Sequence, residues 1–238
     1  FIWNYTTNFT NFPVLFLNLE ALRKDVAFFA RYGVRGVFEQ GNIASLNGEF
    51  GELKGYILAR LLWDPYMSRE TYIEYIREFI RDFYGAGAEY IETYLQMVLD
   101  SSRDAHFGIY FDDPTQYVYI RDCKNILDGK REFVRRGTEL FDAAEAAAED
   151  DRTLANVRRS RIQLYDYIDF TLRAQIEGAA TEKEKAAYQE QLIENNKLRF
   201  LYMRRYNVTH NHEFHNIESL SDPDYATHCL LWKCPGEE

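Results

Sequence analysis

Gly33-Val34-Arg35-Gly36-Val37-Phe38-Glu39-Gln40-Gly41 is the stretch on which the fold turns. Val34 to Glu39 reads as a buried strand, and a glycine stands before and after it. Upstream, Leu19, Leu22, Val26 and Phe29 recur at helical spacing behind Asn18, a residue type that caps helices. Gly33 is the natural residue to end that helix, because it takes a left-handed conformation without a Cβ clash. Further upstream, Phe1-Ile2-Trp3-Asn4-Tyr5 reads as a first short strand, followed by a polar loop to Pro13. Downstream, a glycine-bearing loop from Gln40 to Gly48 leads to a helix with Phe50, Leu53, Ile57 and Leu61 on one stripe. That helix stops near Asp64-Pro65. The order is strand, helix, strand, helix, with connections long enough for parallel pairing.

From Ser68 onward the period is almost purely helical. Ser68 caps a helix with Tyr72, Ile73, Ile76, Phe79, Ile80 and Phe83 on a broad apolar face, broken at Gly85 and Gly87. Ile91, Tyr94, Leu95 and Val98 mark the next helix. His106 to Tyr119, with Asp112-Asp113-Pro114, reads as a connecting loop. Phe133, Leu140, Phe141 and Ala144 mark another helix, and one opening at Asp151 carries Leu154, Val157, Leu164, Ile168 and Leu172. Thr181-Glu182-Lys183-Glu184 is a capping box for a helix running to about Tyr206. His228 to Trp232 is an apolar stretch with the length of a short strand. The expected fold is mostly α with a short α/β segment: the last two βα units of a (β/α)8 barrel, residues 1–65, followed by an antiparallel helical domain, residues 66–238. A whole barrel takes roughly 250 residues by itself, so the remaining strands lie elsewhere on this reading.

Composition narrows the function classes. The 238 residues carry 28 basic and 38 acidic side chains, a net charge of −10. This argues against a nucleic-acid binder, which shows a basic face, and against a protein held on anionic lipid. No apolar run approaches the roughly 18 residues of a membrane span. Aromatics make up 16% of the chain, with 18 Tyr, 17 Phe and 3 Trp. Such an excess serves core packing, sugar stacking or both. Cys123, Cys229 and Cys234 form one disulfide at most, and Cys229 and Cys234 are close enough in sequence to pair. Phe1 to Tyr5 shows no signal-peptide pattern and there is no initiator Met. The simplest expectation is that a longer protein continues upstream, with the N-terminal remainder of the same polypeptide as a partner; the location does not follow from this chain, and a secreted or periplasmic one is expected of the full-length parent.

Glu39 is the first candidate for chemistry. It stands at the C-terminal end of an apolar strand, where parallel α/β folds build their sites. Alternation puts Val37 and Glu39 on one face and Gly36 and Phe38 on the other. A carboxylate there can serve as general acid, base or nucleophile when its neighbours tune its pKa; the plain alternative is a salt-bridged structural carboxylate. Gln40 and Asn42 add amides suited to hydroxyl-rich ligands. Trp3, Asn4, Tyr5 and Asn8 cluster at the end of the first strand, where flat rings stack on sugars and amides read hydroxyls. Phe9, Phe12 and Phe16 line the same wall or pack below it. Glu49 and Glu52 start a helix, where acids complement the dipole; Glu49 lies nearer the loop, within reach of the cleft. His210, His212 and His215 have spacings of two and three rather than the i, i+4 of a helical metal site, so no metal is assigned. Asn4, Asn8 and Asn207 head glycosylation sequons, relevant to a eukaryotic secreted protein. With no GxGxxG, P-loop or G-x-S-x-G motif, no cofactor is expected.

Trp3-Asn4-Tyr5-Thr6-Thr7-Asn8-Phe9, Gly33 to Gly41, Glu49-Phe50-Gly51-Glu52-Leu53-Lys54 and Leu61-Leu62-Trp63-Asp64-Pro65 occur here in this order. In combination they resemble the domain of unknown function 4838 family, large and mostly bacterial proteins similar to glycoside hydrolases, with an α-glucuronidase-like barrel and a helical C-terminal region. The motifs cover residues 1 to about 65; the helical remainder is similar only in general character. The resemblance implies a sugar-processing class without a defined substrate. Trp3, Asn4, Tyr5, Glu39 and Gln40 are the matching residues placed to face a sugar; a catalytic role for Glu39 comes from its strand-end position alone.

The sequence therefore carries one main expectation: hydrolysis or binding of a glycan at the C-terminal face of a barrel, with Glu39 catalytic and Trp3, Asn4, Tyr5, Asn8, Gln40 and Glu49 binding substrate. A non-catalytic carbohydrate-binding protein and a helical protein-interaction scaffold are the alternatives. Residues 1–238 by themselves are expected to be catalytically inert and to expose an unpaired sheet edge.

Overall fold

A computed structural model describes residues 1–42, 49–102, 105, 108–110, 113–212 and 215–217. The chain is mostly helical with a small sheet. Strand β1 (Ile2–Tyr5) and helix α1 (Leu19–Arg31) lead to β2 (Val37–Gln40) and α2 (Gly51–Trp63). Five helices follow: α3 (Arg69–Tyr84), α4 (Ala88–Ser101), α5 (Ile126–Ala147), α6 (Asp151–Glu177) and α7 (Glu182–Arg205). A short hairpin, β3 (His210–His212) and β4 (His215–Asn216), comes last among the described residues. No sequence signal marks this hairpin, because its histidines and asparagines have no strand alternation of apolar residues. Cys229, Cys234 and the stretch from His228 to Trp232 lie outside the described residues, and Cys123 is a free thiol.

Local chemistry sets the helix ends. Ser68, Asn125, Asp150 and Thr181 each accept a backbone N–H of the first turn through the side chain. Glu184 completes the capping box one residue earlier than expected, accepting from the Ala180 amide at 3.1 Å. α1 ends in a Schellman turn: Gly33 adopts φ 72°, its N–H donates to Ala30 O and the Val34 N–H to Phe29 O. That turn consumes Val34, so β2 starts three residues later than the apolar run.

Each helix from α1 to α7 packs on the next in sequence. One hydrophobic cluster runs from Leu15, Leu22 and Val26 through Ile57 and Leu61 to Tyr84, Ile91, Phe133, Phe141 and Tyr167. The core is thus continuous across Asp64-Pro65, where the sequence places a boundary. Its rings carry their hydroxyls into fixed partners: Tyr94 donates to Gln163 Oε1 at 3.0 Å, Tyr72 to Leu19 O at 2.6 Å, and Tyr167 to Val118 O. Buried hydroxyls without such partners would cost their desolvation. At Gly137 a methyl group would press on Leu164 and Tyr94 at 3.1 and 3.2 Å, which lets α5 approach its neighbours closely.

The sheet stands outside this core. β1 and β2 pair in parallel, with Ile2 opposite Val37, Trp3 opposite Phe38, Asn4 opposite Glu39 and Tyr5 opposite Gln40. None of these eight residues joins the main cluster. What holds this end is the loop after β1. The Phe12 N–H donates to Asn211 O of β3 at 2.6 Å, and Asn11 Nδ2 donates to Asp166 Oδ2 on α6 at 3.1 Å. Asp166, with only 1% of its side chain exposed, also pairs with Arg199 on α7.

Burial pushes the Asp166 carboxyl up to about 6 against the pull of Arg199, with Asp169 pushing the same way and Asn11 opposing. A carboxyl raised on folding stabilises the fold below its unfolded pKa, and that contribution fades as pH rises from 3.8 toward 6. The advantage of the wild type over Asp166→Asn is therefore expected to be larger at pH ~4 than at pH ~7, by about 3 kcal/mol at most. Urea unfolding of both proteins at the two pH values measures this; equal differences at both would mean that Asp166 titrates normally.

Candidate functional site

The strand pair presents two chemically different faces. Phe1, Trp3, Tyr5, Phe38 and Gln40 share the outer one, by strand alternation and by the register of the pair. Trp3 is 64% exposed and Phe38 56%. Trp3 Nε1 donates to Gln40 Oε1 at 2.8 Å, which fixes the indole across the strands. Its ring meets Phe38 edge-on at 5.1 Å and stacks near Tyr5 at 6.5 Å with 29° between planes. The result is a fixed aromatic platform with an amide beside it at the C-terminal ends of both strands.

The other face carries Ile2, Asn4, Val37 and Glu39, all half-buried. Asn4 Nδ2 donates to Glu39 Oε1 at 3.4 Å, while the buried Oε2 has no hydrogen-bond partner among the described residues. Burial raises the Glu39 pKa; the Asn4 bond opposes it and the nearby Asp25 charge adds to it. Asp25 is itself raised by burial, against Lys24. Since Asp25 belongs to α1, Glu39 lies on the side of the sheet that α1 covers. Both half-buried carboxyls therefore keep their protons to higher pH than exposed acids do.

Glu49 and Asn8 are placed in the interior. The Asn8 side-chain oxygen accepts the amides of Thr10 at 2.8 Å and Asn11 at 3.0 Å, shaping the loop after β1. Glu49 forms a buried ion pair with Lys54 at 2.5 Å, with side-chain exposures of 1% and 6%. Lys54 Nζ also donates to Phe16 O at 2.7 Å and Thr6 O at 3.3 Å, using the three hydrogens of its ammonium. Burial raises the Glu49 pKa, and Lys54 and the Phe16 backbone hold it down. Glu52 turns to Arg159 on α6 at 2.9 Å. The arrangement starts at Phe50, held at φ 46° with its ring in the core; this left-handed residue puts Glu49 outside the helix it is expected to begin.

His210 Nδ1 shares a hydrogen bond with Thr209 Oγ1 at 2.8 Å, and the His215 side chain lies outside the described residues. No group of three potential metal ligands occurs among the described residues, and no described helix is long and apolar enough to cross a membrane.

Sequence reasoning passes over Asp25 and Tyr110. Asp25 adjoins the Leu22–Val26 stripe of α1, and an acid beside an apolar stripe is the available signal. Tyr110 sits in a stretch without period, where no spacing argument reaches.

The comparisons with curated proteins and with solved structures give no match. The family comparison does: residues 1–96 match the model described as "Domain of unknown function (DUF4838)". The matched stretch runs from β1 past Asp64-Pro65 and α3 into α4. Over these residues, which hold both faces of the strand pair and Lys54 with Glu49, the chain is similar to that family.

Proposed function

We propose that this chain is part of a carbohydrate-active protein and holds a glycan at the C-terminal ends of β1 and β2, on the face that carries Trp3 and lies away from α1. On this reading the two strands with α1 and α2 are the last βα units of a (β/α)8 barrel, whose ligand sites gather at that end. The observation that carries the reading is the exposed Trp3 ring, locked by its hydrogen bond to Gln40 and flanked by Tyr5. A flat apolar face with a hydrogen-bonding rim suits a sugar ring, whose one face is apolar and whose edge is polar. Trp3→Ala is expected to weaken glycan binding by the full-length protein at least tenfold, in line with truncation of a central aromatic contact. Unchanged affinity across a panel of neutral and acidic oligosaccharides, measured by calorimetry, would sink the proposal.

A second reading, glycoside hydrolysis with Glu39 as the acid, would place the glycan on the opposite face of the strand pair, toward Asp25, and is favoured by the carboxyl itself. Glu39 is raised by burial, and its Oε2 is unengaged among the described residues. Hydrolysis takes two carboxyl groups, about 5–5.5 Å apart for retention and about 6.5–9.5 Å for inversion. A proton donor with a raised pKa keeps its proton to higher pH, so turnover would fall as pH rises through that pKa. Glu39→Gln should abolish turnover of aryl glycosides by the full-length protein and remove that limb of the pH profile. Turnover surviving with little loss would leave the binding reading alone.

A further inference from the structure

We infer that the ligand platform continues from the sheet onto the segment between α4 and α5, where Tyr110 supplies a second exposed stacking position for a neutral oligosaccharide. This rests on the glycan reading of Trp3 and extends it to a ligand class. The rings form one rail. Tyr5 follows Trp3 at 6.5 Å, Phe9 follows Tyr5 at 5.4 Å, and Tyr110 follows Phe9 at 6.0 Å. The Phe9 N–H donates to Ile109 O at 2.8 Å, so the segment carrying Tyr110 is tied to the loop by backbone as well as by rings.

Exposure along the rail is uneven, and the unevenness is informative. Tyr5 and Phe9 are half-buried, whereas Trp3 and Tyr110 are 64% and 69% exposed. Phe9 stands at 90° to Tyr5 and 42° to Tyr110. It thus acts as a prop between two open rings rather than as a contact surface. What sets Tyr110 apart from other exposed rings is its contact with Phe9, which joins it to the Trp3 platform. Two open rings separated by two others cannot be bridged by one sugar, but a linear chain of sugars reaches both. None of the four rings nor Gln40 carries a charge, and the carboxyls of Glu39 and Asp25 lie toward the other face of the sheet. An acidic sugar would find no cation among the rail residues, in a chain of net charge −10. A neutral chain of hexoses or pentoses fits.

The test is calorimetric titration of the full-length protein with linear gluco-, manno- and xylo-oligosaccharides, from disaccharide to hexasaccharide. Wild type should bind one series with affinity that rises with length. Tyr110→Ala should bind the disaccharide as wild type does and lose about tenfold at the hexasaccharide, as expected for one stacked ring. Tyr110→Phe, which keeps the ring, should retain the gain. If Tyr110→Ala follows wild type at every length while Trp3→Ala loses binding, the rail ends at the sheet and the inference fails with the glycan reading intact. If Trp3→Ala also binds as wild type, both fail; if wild type binds none of these neutral series but binds an acidic oligosaccharide, the inference fails and the glycan reading stands. A uniform loss at all lengths in Tyr110→Ala, with a lowered melting temperature, would assign Tyr110 to the fold and overturn the inference.

Discussion

Lys54→Met is expected to lower the unfolding free energy by about 3–5 kcal/mol, the range for stranding one partner of a buried ion pair. The melting temperature should fall by roughly 10 °C, given the usual sensitivity of a chain of this size. Lys54 meets Glu49 at 2.5 Å with almost no solvent, and its remaining hydrogens go to the carbonyls of Phe16 and Thr6. Methionine matches its length and removes all three of these hydrogen bonds. Glu49 would then have to take up a proton, since its pKa is already raised and the lysine that restrains it is gone. The double variant Glu49→Gln with Lys54→Met should recover part of the loss, because no charge is then buried. Urea unfolding followed by circular dichroism checks both. A loss under about 1 kcal/mol for Lys54→Met would place the pair in the class of solvated surface bridges. The Thr6 carbonyl sits directly after β1, so the same substitution should also loosen Trp3 and Tyr5, visible as a shift in tryptophan emission.

The helical part of the fold is legible in the sequence because its signals are local. Stripes such as Tyr72–Ile80 and Leu164–Leu172, caps at Ser68 and Thr181, and the left-handed Gly33 each act within a turn or two of chain. Strand alternation by itself also separates Glu39 from Phe38. Which face is covered is a different matter. It depends on α1 bringing Asp25 toward Glu39 and leaving Trp3 and Phe38 open, a choice that strand periodicity does not record. Glu49 reads as a first-turn acid because that is where such residues usually stand. The left-handed Phe50 removes it from the helix, and a lysine five residues on meets it in the interior. Asn8 reads as a sugar-binding amide, but its oxygen is spent on the amides of its own loop, a short-range use that asparagine shares with every turn. Tyr110 is out of reach, since only the folded loop brings it to Phe9. The candidate site thus divides cleanly: residues on the strands can be named from the sequence, and residues brought by tertiary contact cannot.

Hydrogen exchange should show protection in α6 exceeding that in β2 by on the order of a thousandfold, a difference of about 4 kcal/mol in opening free energy. The difference comes from neighbours. Leu164, Tyr167 and Leu172 of α6 are buried, and α6 packs against α3, α5 and α7. Opening these amides requires disrupting the main core. Val37, Phe38, Glu39 and Gln40 pair only with β1 among the described residues, and neither strand contributes to that core. A two-stranded pair with one open face is marginal in water by itself, and its unpaired edges offer rows of free amides and carbonyls. The tethers that oppose local opening include Lys54 to the Thr6 carbonyl, the Asn4–Glu39 and Trp3–Gln40 bonds, and the anchorage of the following loop to Asp166, Asn211, Ile109 and Glu49. Breaking them costs α6 one hydrogen bond, at Asp166, and leaves the packing of α6 on α7 in place, so the sheet should open as a unit well below the global free energy. The same experiment bears on the barrel proposal. A strand pair built to be flanked by further strands should be labile without them and gain protection when they are supplied. If the Val37 to Gln40 amides exchanged as slowly as those of Leu164 to Leu172 in this chain, β1 and β2 would be a self-sufficient unit. The exposure of Trp3 and Phe38 would then belong to this chain's own fold and not to missing neighbouring strands.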